Sequence, residues 1–267
     1  MRNGFNIGPR VPFLRLPSSS FGFSLVRVIV YQGSSFKTTC WTLLGRAAGG
    51  SDKSAALDEL VRMYWYPLYA FCRRQGHCDH DAMDLTQGFL TSLIESESIA
   101  KVEQSRGRFR NFLLVSFKNY LKKQHRHSQA QCRGGNGIQI SIDSLQFSAR
   151  YCDEAWDPNE SPERIYDRQC VSAMLETVTQ KLAETYRRAG KQELFEAISP
   201  QMLTPNEALS RGEVSIKLGI SPAAINMALH RMRMKFAQLL RQEISGSIGQ
   251  GESVEEELSD LLRVFAN

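Results

Sequence analysis

The sequence predicts an all-α protein in which a flexible linker joins two helical domains, the second of which carries a helix-turn-helix. Apolar residues recur three and four positions apart over several long segments, as they do in amphipathic helices. Glycines, a proline and polar residues occupy the stretch at 128–160, which is typical of a linker. A short helical pattern and a longer basic one then flank a tight turn at 218–220, which indicates a helix-turn-helix.

The 267 residues divide into segments of different character. They are an extension at 1–50, a helical domain at 51–127, the linker at 128–160, the helix-turn-helix domain at 161–245, and an acidic C-terminal helix within 246–267. The extension contains no Asp or Glu, and helical patterning begins only near Ser54. We interpret it as disordered or as the result of a start codon assigned too far upstream, with a targeting peptide as the alternative.

Helical spacing predicts the individual helices outside the helix-turn-helix. They are expected at 54–76, 79–96, 109–124, 161–189, 191–198 and 253–265. Pro67 is expected to kink the first of them or to restart it after Tyr66. Ser161-Pro162-Glu163 favours a fresh helix start after the linker. A short extended piece is expected inside the linker at 138–142.

The segment 209–241 has the layout of a helix-turn-helix, in which the second helix enters the major groove of DNA. Gly219 lies at the turn, where glycine tolerates a positive φ, and the small Ser215 allows a close approach of the two helices. Ser221 is a good N-cap, and Pro222 suits the first position of the second helix. The alternative is an ordinary amphipathic hairpin with a solvated cationic face.

The charge distribution favours a nucleic-acid partner without requiring one. The net charge is +5 and the isoelectric point is near 8.9, and no Asp or Glu occurs at 104–142. Cations and aromatics interleave at 106–126, where cations would neutralise phosphates and aromatics would stack on unpaired bases. The alternative is that Phe109, Phe112 and Phe117 are core residues and that the cations only solvate the surface.

Other function classes find little support in the sequence. No apolar run approaches the ~18–20 residues of a membrane-spanning helix, and the scattered cysteines favour a reducing cytoplasm. Cys72, His77, Cys78 and His80 lie close together, but their spacing does not match a zinc site, and we expect no metal and no cofactor. The sequence shows no Gly-rich phosphate loop and no nucleophile–base set, so we expect no enzymatic activity.

Two distant segments together resemble a known family. The motif at 84–90, DLTQGFL, is similar to the DLTQEFF motif of bacterial RNA polymerase sigma factors of the extracytoplasmic-function type. It precedes the basic-aromatic segment, the linker and the helix-turn-helix in the order that this family has. Further similarities, to a subgroup with long linkers and C-terminal extensions, lie at 38–44, 64–69, 106–110 and 161–164. The resemblance extends from Thr38 to the C-terminus.

The resemblance implies that the protein initiates transcription with core RNA polymerase and is not itself an enzyme. Its further partners would be promoter DNA, as duplex and as melted strand, and in some cases an anti-sigma factor. Docking on the clamp helices of the largest polymerase subunit would fall to Asp84, Leu85, Gln87 and Phe89. The −10 element would be bound and melted by Arg108, Arg110, Asn111, Lys118, Asn119, Lys122, Lys123 and Arg126.

The resemblance assigns the −35 element to the second helix of the helix-turn-helix. The residues expected at the duplex are Ser221, Ala223, Asn226, Met227, His230, Arg231 and Arg233. Those near the start of the helix would face base edges, and the arginines would grip phosphates. The chain departs from the family at Gly88, where Glu is usual, and at Gly212, where Ala is usual. The alternative function is a stand-alone helix-turn-helix regulator that binds duplex DNA without polymerase.

Acidic residues cluster at 252–260, and the segment 253–265 alternates them with apolar residues in the pattern of an amphipathic helix. We hypothesise that this helix packs against a basic face of the C-terminal domain and restrains its access to DNA. The alternative is a surface helix that covers apolar residues of the same domain.

Overall fold

The computed structural model describes residues 53–95, 107–128, 144–154, 156–203, 210–249 and 251–266, which form α-helices joined by turns without any β-strand. The predicted all-α class is therefore confirmed. The helices are α1 (Lys53–Arg74), α2 (Asp79–Glu95), α3 (Phe109–Ser128), α4 (Ser144–Asp153), α5 (Pro162–Arg188), α6 (Gln192–Ile198), α7 (Pro200–Leu203), α8 (Arg211–Leu218), α9 (Pro222–Ser245) and α10 (Val254–Ala266). The expected extension at 1–50 and extended piece at 138–142 lie outside the described residues.

The described side chains pack into two cores, and α5 belongs to both. The first core lies among α1, α2, α3 and the start of α5, where Tyr166 is completely buried. The second core contains the rest of α5, from Val171 onward, together with side chains of α6 to α10. The border between the cores therefore falls inside α5 and not at residue 161. A continuous helix shared by both cores links the two surfaces described below.

The helix start after the linker agrees with the prediction. Ser161 has extended backbone angles and its hydroxyl accepts a hydrogen bond from the amide of Arg164, while Pro162 occupies the first helical position. In α1, however, the helix continues through Pro67, so the predicted restart after Tyr66 is wrong, and the alternative of a kink stays a prediction. The packing of this helix explains the difference, because its residues from Met63 to Cys72 are all buried. That burial offsets the roughly 3 kcal/mol by which proline disfavours a helix interior.

Part of the predicted linker is folded. α4 packs its aromatic side chains on α1, with ring centroids 4.5 Å apart for Phe147 and Trp65 and 5.9 Å apart for Tyr151 and Tyr69. The guanidinium of Arg150 lies 4.1 Å from the centroid of the Tyr66 ring, within range of a cation–π interaction. Residues 144–153 are therefore part of the first core.

None of the described helices is long and apolar enough to cross a bilayer.

Candidate nucleic-acid interface

A tight turn joins α8 and α9. Gly219 ends α8 with φ of 64°, in the left-handed region that glycine adopts without strain. The hydroxyl of Ser215 donates a hydrogen bond to the carbonyl oxygen of Ile220 at 2.6 Å, so the small residue also ties α8 to the turn. Val214 of α8 and Ile225 of α9 are completely buried in the second core. The predicted turn position is confirmed, and its interpretation as a DNA-binding motif stays a prediction.

The start of α9 is built as the sequence predicts. Ser221 has extended backbone angles, its hydroxyl accepts a hydrogen bond from the amide of Ala224, and Pro222 follows at the first helical position. Ser221 and Ala223 are exposed. The unpaired amides and the dipole at a helix N-terminus favour an anion, so this end of α9 suits contact with a phosphate.

α9 presents a polar and cationic face to solvent. Its predicted DNA contacts Asn226, Met227, His230 and Arg231 are exposed, and Arg233 is partly exposed. Met227 keeps 60% of its surface exposed although it is a large apolar side chain, which is the kind of group that can contact a thymine methyl. The opposite face of α9 is buried in the second core through Ile225, Leu229, Met232 and Phe236.

α3 carries a second exposed stripe. Its members are three or four residues apart and therefore share one helix face: Asn111, Val115, Asn119, Lys122 and Arg126. Lys123 lies beside this stripe and is also exposed. Lys118 is partly exposed and its ammonium lies 2.7 Å from the carboxylate of Glu163. We call this face the α3 stripe. Its amides and cations suit a polyanion.

The aromatic residues of α3 do not lie on the α3 stripe. Phe109 and Phe117 are completely buried in the first core, and Phe112 packs against the same core. The alternative stated for these phenylalanines is therefore confirmed. Stacking of bases on them is not available in this structure, so the stripe offers hydrogen bonds and charge.

Arg108 and Arg110, which were expected to contact DNA, instead face the acidic C-terminal segment. Nε and Nη1 of Arg108 each lie 2.6 Å from a carboxylate oxygen, the first of Glu257 and the second of Asp260. Arg110 is only 8% exposed, pairs with Asp167, and donates from Nε to Glu257 at 2.9 Å. Neither guanidinium is available to a nucleic acid in this conformation.

The charges around Arg110 are balanced within the protein. Burial by itself would lower the pKa of Arg110, but the hydrogen bond with Glu257 and the negative charges of Asp167 and Glu257 raise it above its usual value. The Arg110 carbonyl oxygen also accepts a hydrogen bond from the hydroxyl of Tyr166 at 3.0 Å. Arg110 is thus part of the contact between α3, α5 and α10. The sequence signal for it was the coexistence of an acid-free basic segment and an acidic tail.

The predicted polymerase-docking residues divide into surface and core. Asp84 is exposed, 3.3 Å from a ring nitrogen of His80, while Leu85 and Gln87 are partly exposed. Phe89 is 3% exposed, and its ring centroid lies 4.9 Å from that of Phe117. Phe89 therefore fixes α2 against α3 from inside the first core.

The cysteines and histidines do not assemble into a metal site in the part of the chain that the structure describes. Burial raises the pKa of the Cys72 thiol to about 12, which keeps it protonated at neutral pH. Cys78 is exposed.

The two exposed surfaces, the α3 stripe and the outer face of α9, lie on different cores. Asp84, Leu85 and Gln87 form a third surface on α2, in the same core as the α3 stripe. Comparisons of the chain with known protein families, with curated proteins and with solved structures find no match.

Proposed function

We propose that the protein is an RNA polymerase sigma factor of the extracytoplasmic-function type. It would bind core polymerase, recognise the −10 and −35 promoter elements, and promote melting of the DNA. The observation that carries the proposal is the pairing of two exposed polar and cationic helix faces, on α3 and on α9, each supported by its own core. The similarity of the segment 84–90 to the family motif supports the same conclusion.

In this proposal α9 binds the −35 element as duplex. Its exposed N-terminus would approach a phosphate, and Asn226, Met227 and His230 would meet base edges in the major groove. Arg231 would neutralise a backbone phosphate, which adds affinity but no sequence preference. The buried side of α9 supports this division, because it anchors the helix and leaves the opposite face toward solvent.

The α3 stripe would hold the melted strand of the −10 element. Lys122, Lys123 and Arg126 supply charge for phosphates, and the amides of Asn111 and Asn119 can donate and accept hydrogen bonds at unpaired bases. Since the phenylalanines of α3 belong to the core, we expect strand capture to rely on these polar groups.

The first test is binding to core polymerase. We expect the purified chain to co-elute with bacterial core RNA polymerase in size-exclusion chromatography. Asp84→Ala should weaken that complex roughly tenfold, because it removes an exposed carboxylate from the docking surface of α2. Glu193→Ala, which removes an exposed carboxylate of α6 in the second core, is the matched control.

Absence of any complex with core polymerase would contradict the proposal. Tight binding of a symmetric duplex site by the chain alone would instead favour a stand-alone helix-turn-helix regulator.

A further inference from the structure

The apolar face and the acidic face of α10 contact different parts of the protein. Its apolar side chains Leu258 and Leu261 are buried in the second core, in agreement with the alternative that this helix covers apolar residues of the C-terminal domain. Glu255 makes a long ion pair with Arg241 of α9, at 3.9 Å, but the buried part of the acidic side does not lie on a basic face of that domain as hypothesised. Glu257 and Asp260 instead contact the start of α3, in the first core. The reason is that this end of α3 offers two closely spaced guanidinium groups with no acid on their own helix.

The contact between the C-terminal segment and α3 involves backbone as well as side chains. The amide of Phe109 donates a hydrogen bond to the carbonyl oxygen of Ser247 at 2.8 Å, next to the turn that leads into α10. Glu252 adds a longer ion pair with Arg108, at 3.9 Å. The segment therefore closes over the first turn of α3, where the α3 stripe begins.

The contact between these arginines and carboxylates uses the same N–H donors that an arginine presents to a phosphate. A guanidinium binds a carboxylate and a phosphate through the same planar set of N–H donors. Glu257 is 1% exposed and accepts from both arginines. A nucleic acid that reached Arg108 or Arg110 would have to displace these carboxylates.

We propose that residues 251–266, the C-terminal latch, act as an intramolecular competitor of nucleic acid. In the closed state the latch occupies Arg108 and Arg110 and holds the two cores together across the start of α3. Its release frees the Arg108 guanidinium and extends the α3 stripe toward its N-terminal end, while Arg110 stays paired with Asp167 of α5. The inference rests on the proposed function in treating α3 as a nucleic-acid-binding helix.

The test compares two charge-matched variants of the full chain. Glu257→Gln with Asp260→Asn removes the two carboxylates that pair with the arginines and keeps the buried leucines. Its control, Glu193→Gln with Glu256→Gln, changes the net charge by the same amount at two exposed positions outside this contact. Binding of a labelled single-stranded DNA oligonucleotide is measured by fluorescence anisotropy over a range of salt concentrations.

Freeing Arg108 should steepen the dependence of log affinity on log salt by about 0.7, the value for one phosphate contact on a single strand. At 0.1 M salt the latch variant should bind about fivefold more tightly than the wild type, in line with that slope. The control should keep the wild-type slope. Adding Arg108→Ala to the latch variant should reverse the whole change in slope, because Arg108 is the phosphate contact that the variant frees.

An unchanged slope in the latch variant, or an equal change in the control, overturns the latch and leaves the polymerase-binding test of the proposed function untouched. Absence of binding by every variant contradicts both proposals. If the double variant lacks a cooperative thermal transition, Asp260→Asn alone replaces it, because Asp260 is half-buried and on the outer edge of the contact. A smaller steepening of the salt dependence then supports the latch, and an unchanged salt dependence overturns it.

Discussion

At the residue scale, Gly88 of α2 lies so close to the Tyr120 side chain of α3 that no larger residue fits there without a shift. A Cβ atom on Gly88 would lie 2.5 Å from the hydroxyl oxygen of Tyr120, closer than real contacts allow. The family that the chain resembles usually has Glu where Gly88 stands, so the change in α2 accompanies a large side chain on α3. At Gly212 the situation differs, since an added Cβ would meet only the Ser210 hydroxyl at 3.9 Å. Nothing in the structure requires glycine there.

A double-mutant cycle tests the pair of Gly88 and Tyr120. Alanine favours a helix interior over glycine by about 1 kcal/mol, but in the wild type its methyl would collide with the Tyr120 hydroxyl. We expect Gly88→Ala to leave the free energy of unfolding unchanged or lower. In a Tyr120→Phe background the same substitution should raise it by about 1 kcal/mol. Urea unfolding of the four proteins measures the coupling, and equal effects of Gly88→Ala in both backgrounds would contradict the account.

At the element scale, Asp79 joins three helices. It begins α2 and accepts hydrogen bonds at 2.7 Å from Arg73 of α1 and from Ser148 of α4, and a further one from Tyr69. Burial would raise the pKa of Asp79, but the hydrogen bonds from Tyr69 and Ser148 and the charge of Arg73 hold it below its usual value. The ionised carboxylate is therefore the form that keeps α4 on α1.

Asp79→Asn should lower the free energy of unfolding at pH 7 by about 1 kcal/mol, because charge-assisted hydrogen bonds are replaced by weaker ones. A carboxyl with a lowered folded pKa stabilises the fold above its unfolded pKa, and this contribution disappears as pH falls through the folded value. The difference between wild type and variant should thus shrink as pH falls below about 3.9, the usual pKa of an Asp in an unfolded chain.

Thermal unfolding between pH 7 and pH 2.5 measures the effect of Asp79→Asn. Asp81→Asn is the control, because Asp81 is an exposed carboxylate in the same first turn of α2. A difference that persists at low pH, or an equal effect of the control, would count against the role of Asp79.

Elements with strong local signals could be predicted from the sequence, and those held by distant contacts could not. Ser221, Pro222 and Gly219 determine the turn and the start of α9 locally, and the structure agrees with the prediction there. α4 was assigned to a linker because glycines, a proline and polar residues occupy the stretch around it. Its stability comes from aromatic packing on α1, and only the spacing of Phe147 and Tyr151 hinted at it.

In the candidate site, too, local features could be predicted from the sequence and features that depend on distant contacts could not. The exposed positions of α3 and α9 follow from helix periodicity and could be predicted. The burial of Arg110 could not, because its partner Glu257 lies 147 residues away in sequence. Phe89 was placed on a docking surface from its position in a motif, whereas its ring packs against Phe117.

At the scale of the whole molecule, α5 and the C-terminal latch join the two cores by different means. α5 runs continuously through both, and its buried apolar face makes that connection permanent. The latch adds ion pairs around Arg108 and Arg110, in which a competing anion such as a phosphate can replace the carboxylates. The molecule can therefore keep both cores folded while the contact across the start of α3 opens.

The central claim is that this chain directs polymerase to promoters, and run-off transcription tests it most directly. Bacterial core RNA polymerase is incubated with the chain and a library of genomic fragments, and transcript 5′ ends are mapped. We predict discrete start sites that require the chain, and a roughly tenfold loss of transcripts with Lys122→Ala and Arg126→Ala, which remove two phosphate contacts. The exposed pair Arg188→Ala and Lys191→Ala should leave transcription unchanged. Transcripts no different from those of core polymerase alone would contradict the account.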